Sequence, residues 1–189
     1  MSNNKAATKE PSGYVDTIDR PIWIDDESEK IIQEADFAKI KTFFHDHTPS
    51  RKVSARAITF EDYGWHDIEK LQSELFKNFD EKHYSSAEKL NDMKASLERI
   101  GLNDTQWYEV DEDKICICTN KKKKIEKLFS HLRNSFAHNR YAIKYLPESN
   151  DYIFIFEDKD SQNHVSARMV LKKSTLEKWM SIIQNGEKK

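Results

Sequence analysis

Glycine and proline are scarce: four of each punctuate a chain of 189 residues. A β-sandwich with many tight turns needs such residues at its corners, so their scarcity favours long helices. The two cysteines, Cys116 and Cys118, are too few for a disulfide framework and lack the second pair that a zinc site needs. No apolar run reaches the roughly 18 residues expected of a membrane-spanning helix. The first residues contain no apolar stretch of the secretory kind, and together with the cysteine usage this leads us to expect a cytoplasmic protein with no membrane partner. An excess of positive charge is missing as well. The formal net charge is −2, so any nucleic-acid binding must come from a local basic patch rather than from bulk attraction.

What is present is charge of both signs. Charged residues make up 34% of the chain and hydrophobic ones 37%, which implies solvated helix faces over a modest core. The length suits one domain. Residues 1–20 are polar and cannot bury enough surface to offset their ordering entropy; they are expected to form a disordered arm ahead of a single domain over 21–189. Ile31, Ile32, Ala35, Ala38 and Phe43 give a first helix a rough helical period, and Pro49 ends it. A long helical stretch is expected over 66–100, with Ile68, Leu71, Leu75 and Phe79 in one stripe and Leu90, Met93, Leu97 and Ile100 in another. Ser85-Ser86 is a break or new cap between them, and Gly101 stands where a C-terminal cap belongs. Ile115-Cys116-Ile117-Cys118 reads as a short strand, with both thiols on one face for core packing. After a helix over 121–139 come strand-like runs at about 141–146, 152–157 and 165–171. A last helix over about 174–185 has Ser174 as its cap and Glu177 where a capping box requires it.

The helix over 121–139 carries the chemistry. At about 100° per residue, Ile125, Leu128, Phe129, Leu132 and Phe136 form one apolar stripe. Lys127, His131, Asn134 and His138 cluster on the opposite side, with Arg133 on the flank. Taken singly, each has a plain reading. A histidine on a polar helix face is ordinarily solvated, as we expect of His131, and an arginine ordinarily snorkels along its helix. The run Lys121-Lys122-Lys123-Lys124 reads as a solvated face too, yet four cations at a helix N-terminus oppose the macrodipole, and phosphate is one ligand that would favour them there. His45-Asp46-His47 has the look of a metal-binding fragment but lacks further ligands. No carboxylate or His/Cys set makes a convincing metal or cofactor site, so none is expected.

The combination is more specific than its parts. Arg133-Asn134-Ser135-Phe136-Ala137-His138 resembles the Arg-x(4–6)-His motif of the HEPN superfamily, in which a polar residue often follows the arginine. Leu132 before the arginine, Ala137 before the histidine and Asn139-Arg140-Tyr141 after it extend the likeness. It is firm over about residues 121–145 and looser to 185. The strand pair and final Leu-x-x-Trp helix also resemble a HEPN branch found on plasmids and prophages in defence genes. The resemblance implies a small helical bundle. With the strand-like runs this makes the expected fold α+β, mainly a helical bundle with a small antiparallel β-sheet after the motif helix. It further implies a homodimer in which motif helices meet across the two-fold axis in a composite active site. That would answer a geometric difficulty, since residues five apart lie about 140° apart around an ideal helix. Unwinding near His138 would serve equally, and Asn139 tolerates the left-handed conformation that such unwinding needs.

The implied activity is a metal-independent endoribonuclease acting on RNA through its own 2′-OH, as a toxin or anti-phage effector, with an antitoxin or activating protein as a further partner. His138 is the expected general acid or base, since histidine titrates near neutrality. Arg133 is expected to fork onto the scissile phosphate. Asn134 would orient His138 one turn away, or bond across the dimer. His131, about 10 Å along the axis from His138, is an auxiliary candidate for proton transfer. Lys121, Lys122, Lys123, Lys124 and Arg140 are candidates for binding RNA phosphates. The alternative is a non-catalytic HEPN-like module that dimerises or binds RNA.

Overall fold

The computed structural model describes residues 34–50, 58–103, 107–120 and 124–187. The expected arm over 1–20 lies outside them, as do Trp23 and most of the segment 51–60. In chain order the elements are α1 (Glu34–Thr42), α2 (Ile68–Leu75), β1 (Tyr84–Ala87), α3 (Met93–Arg99), β2 (Lys114–Cys118), α4 (Lys124–Ala137), β3 (Tyr141–Leu146), β4 (Asp151–Lys159), β5 (Val165–Lys172) and α5 (Lys173–Asn185). A π-helical turn, Phe43–His47, prolongs α1, and single 3₁₀ turns occur at Glu61–Tyr63, Leu90–Asp92 and Trp107–Glu109.

The sheet corrects the expected fold. It is a five-stranded mixed sheet of order β1-β2-β5-β4-β3 rather than a small antiparallel one, and two of its strands precede the motif helix. β1 runs parallel to β2, and the other pairs are antiparallel. The stretch expected as one helix over 66–100 is broken into α2, β1, the 3₁₀ turn and α3. Its apolar stripes are real, since Leu71, Leu75, Met93 and Leu97 are buried. Ser85-Ser86 is no cap; it lies within β1, paired with Cys116 and Ile117. Four residues without an apolar run form a strand because a neighbouring strand supplies their hydrogen bonds, a tertiary effect that outweighs local propensity.

Side chains alternate between the two faces of the sheet, and each face covers its own core. On one face Ile115, Ile117, Phe154, Phe156, Met169 and Leu171 pack with residues of α1, α2, α4 and α5. On the other, Cys116, Ile153, Ile155 and Val170 pack with Met93 and Leu97 of α3 and with Trp107. Trp65, Trp107 and Trp179 are all buried. Gly101 caps α3 in the left-handed region at φ 72°. Helix α5 begins at Lys173 with no side-chain cap. Ser174 Oγ donates instead to Asp151 at 2.6 Å, so the hydroxyl ties the helix start to β4 and the capping box does not form.

Candidate active site on the motif helix

Helix α4 forms where the stripe predicts it. Ile125, Leu128, Phe129, Leu132 and Phe136 are each at most 2% exposed, facing the sheet and the turn that follows α1. The helix ends in a Schellman motif. Arg140 N–H donates to the Ser135 carbonyl at 2.8 Å and Asn139 N–H to that of Phe136 at 3.3 Å, with Asn139 in the left-handed region at φ 51°. The unwinding therefore falls at His138-Asn139, where the sequence allowed it. Asparagine bears this conformation at little cost because its short polar side chain avoids the clash a β-branched residue would meet. The reversal also lets β3 start at Tyr141, so the end of α4 is held against the sheet.

The last residues of β4 are the platform for that end. Ser135 Oγ donates to the Glu157 carbonyl at 3.0 Å, and Glu157 N–H to the Arg140 carbonyl at 2.9 Å. Asp158 Oδ2 bonds His131 Nδ1 at 2.7 Å and accepts from Asn134 Nδ2 at 3.1 Å. The side of α4 expected to be solvated is thus partly closed. His131 is 6% exposed and Asp158 2%, which corrects the reading of His131 as a surface histidine. Its Nε2 is buried and finds no hydrogen-bond partner among the described residues. A carboxylate at the end of β4, on the face that carries Phe154 and Phe156, supplies the contact that makes this burial tolerable.

Arg133 leaves the helix on the other flank. Its Nη2 donates to Thr48 twice, to the carbonyl at 3.2 Å and to Oγ1 at 3.0 Å. Thr48 is buried and directly follows the π-helical turn. Arg133 is half-buried, and no other nitrogen of it makes a hydrogen bond among the described residues. His138 is exposed, with no ring hydrogen bond among the described residues. No hydrogen bond joins it to Arg133.

The candidate phosphate ligands divide. Lys121, Lys122 and Lys123 lie outside the described residues. Lys124 points away from solvent, with Nζ 3.9 Å from the ring centroid of Phe76 and 3.5 Å from that of Tyr84. Burial pushes its pKa down to about 8, while the two ring faces favour the cation. Arg140 donates to the Lys159 carbonyl at 3.4 Å. Within His45-Asp46-His47, His45 bonds its neighbour Asp46, and His47 is exposed. Asp158 is the residue that the sequence reading passed over. The strand-like run over 152–157 stops two residues before the end of β4 at Lys159. Its signal was the alternation Phe154, Phe156, Asp158: an acid continuing a core-facing series requires a buried partner.

A mixed sheet with helices on both faces, bearing an Arg-x4-His helix that unwinds at its histidine, defines the class of site. The family described as HEPN pEK499 p136 matches residues 28–186. The chain belongs to this HEPN family, and the match begins far upstream of the motif helix. Neither a curated protein nor a solved structure matches the chain. No helix among the described residues is long and apolar enough to cross a membrane.

Proposed function

We propose that the chain is a metal-independent endoribonuclease with Arg133 and His138 as its catalytic pair. The observation that carries this reading is the end of α4: in a HEPN family member, an anchored arginine with unused donors and an exposed histidine lie on the last turns of one helix. RNA brings its own nucleophile. A base takes the 2′-OH proton, O2′ attacks phosphorus and the P–O5′ bond breaks, while an acid gives O5′ its proton. The products are a 2′,3′-cyclic phosphate and a 5′-OH. His138 performs one proton transfer, and Arg133 stabilises the charge gathering on the non-bridging oxygens. Asn134, one turn before His138, orients it.

A homodimer completes the reading. Within one chain no hydrogen bond joins Arg133 to His138, and two copies of α4 meeting near their C-terminal ends would bring each arginine to the partner's histidine. Cleavage of labelled RNA in excess EDTA tests the pair. Arg133→Ala and His138→Ala are expected to lose cleavage with the far-ultraviolet circular dichroism unchanged, and wild-type rates in both would sink the assignment. The biological setting we propose is that of a toxin or anti-phage effector, restrained by an antitoxin or released by an activating protein. Induced expression of wild type should arrest growth where His138→Ala does not; equal growth would remove the toxin role.

A further inference from the structure

We infer that Asp158 is a positioning residue of this site, fixing the Asn134 amide and the His131 imidazole in the one arrangement from which Asn134 serves His138. The inference rests on the ribonuclease reading above.

Packing gives no reason for an acid at this position. Its neighbours on the same face of β4, Phe154 and Phe156, are fully buried, and an apolar residue would simply continue the series. The acid is instead fully engaged. Oδ2 bonds His131 Nδ1 and Asn134 Nδ2, and Oδ1 accepts the Lys159 N–H at 3.0 Å. These two partners lie on successive turns of α4, one and two turns before His138.

Asp158 Oδ2 stands as one acceptor against two nitrogens, and that decides two otherwise free choices. The Asn134 amide must turn its NH₂ inward, since the flipped amide would set oxygen against oxygen. Its Oδ1 is thereby left as an acceptor, with no hydrogen bond among the described residues, one turn before the exposed His138. The His131 imidazole must likewise carry its proton on Nδ1, which leaves a lone pair on the buried Nε2 when the ring is neutral. Without Asp158 the amide would sample both orientations and the imidazole would return towards the Nε2–H tautomer. The consequence falls on the chemical step and not on RNA binding, because Asp158 itself is shielded from any ligand.

The test uses the full chain with Asp158→Leu, which continues the apolar series, and Asp158→Asn, which keeps an acceptor. Both are compared with wild type in metal-free RNA cleavage and in long-range ¹H–¹⁵N spectra of the histidine rings. Misplacing a catalytic group by about 1 Å can cost about 100-fold in rate. Asp158→Leu is expected to lose kcat on that scale with KM within about twofold, and Asp158→Asn to lose less. Wild-type His131 should show the Nδ1–H tautomer, and Asp158→Leu should shift it. A folded Asp158→Leu protein with undiminished kcat overturns this inference alone, as does an Nε2–H tautomer in wild type. A wild type that cuts no RNA overturns the ribonuclease reading together with it.

Discussion

Glu157 and Asp158 are neighbours on β4, yet they point to opposite faces of the sheet and keep very different company. Glu157 is paired with two cations. Its Oε2 accepts from Arg168 Nε at 2.8 Å, its Oε1 lies 3.2 Å from Lys159 Nζ, and Arg168 also donates to the Leu102 carbonyl and stacks over Trp107. Arg168 is 0% exposed, and Glu157 faces it directly across the β4–β5 ladder. Asp158 holds a histidine and an asparagine of the motif helix, and a buried imidazole nitrogen is left over. The Glu157 cluster pairs opposite charges within the sheet, whereas the Asp158 cluster ties the sheet to the motif helix. The two lie one residue apart in sequence, so sequence neighbourhood is no guide to role here.

The comparison breaks most sharply on stability. Arg168→Ala leaves Glu157 with Lys159 as its cation in the interior, and losing one member of a buried ionic set costs about 3–5 kcal/mol. For a chain of this size each kcal/mol is worth roughly 2–4 °C in Tm, so thermal unfolding should drop by about 6–20 °C, while the cleavage rate per folded molecule stays at the wild-type level. Asp158→Ala removes the acceptor of the His131 and Asn134 hydrogen bonds, a cost of about 1–3 kcal/mol, and its cleavage rate should fall as well. Equal loss of rate in both variants would erase the distinction between the faces.

Smaller effects sharpen it. Asn139→Val forces a β-branched residue into the left-handed region at a cost of about 1–2 kcal/mol. Because it disturbs the turn that carries His138, it should slow cleavage, whereas Asn139→Gly should be close to neutral in denaturant melts. The smallest effect concerns the thiols, both of which belong to the Glu157 face. Burial pushes Cys116 up to about 12 and raises Cys118 as well. In the folded protein both should alkylate more slowly than a free thiol at pH 8, with Cys116 the slower by mass spectrometry. Rapid labelling of Cys116 would mean that this face opens readily.

Much of this was legible in the sequence because it is local. The stripe from Ile125 to Phe136 predicted α4, and β3 falls at Tyr141–Leu146 as expected. The left-handed turn at Asn139 follows from its residue type. What escaped is non-local. β1 exists through its pairing with β2, and Ser85-Ser86 has no strand signature of its own. His131 looked solvated because a helical wheel shows one helix and not the strand end against it; the partner, Asp158, lies 27 residues on. Thr48 as the anchor of Arg133 spans 85 residues and leaves no periodic trace.

The most direct test of the account is the chemistry of the cut ends. RNA incubated with wild-type protein in excess EDTA should yield 2′,3′-cyclic phosphate and 5′-OH termini, and a single 2′-deoxy substitution at the cut position should block that cut. Termini bearing 5′-phosphate and 3′-OH, or equal cutting of the deoxy-substituted strand, would contradict it.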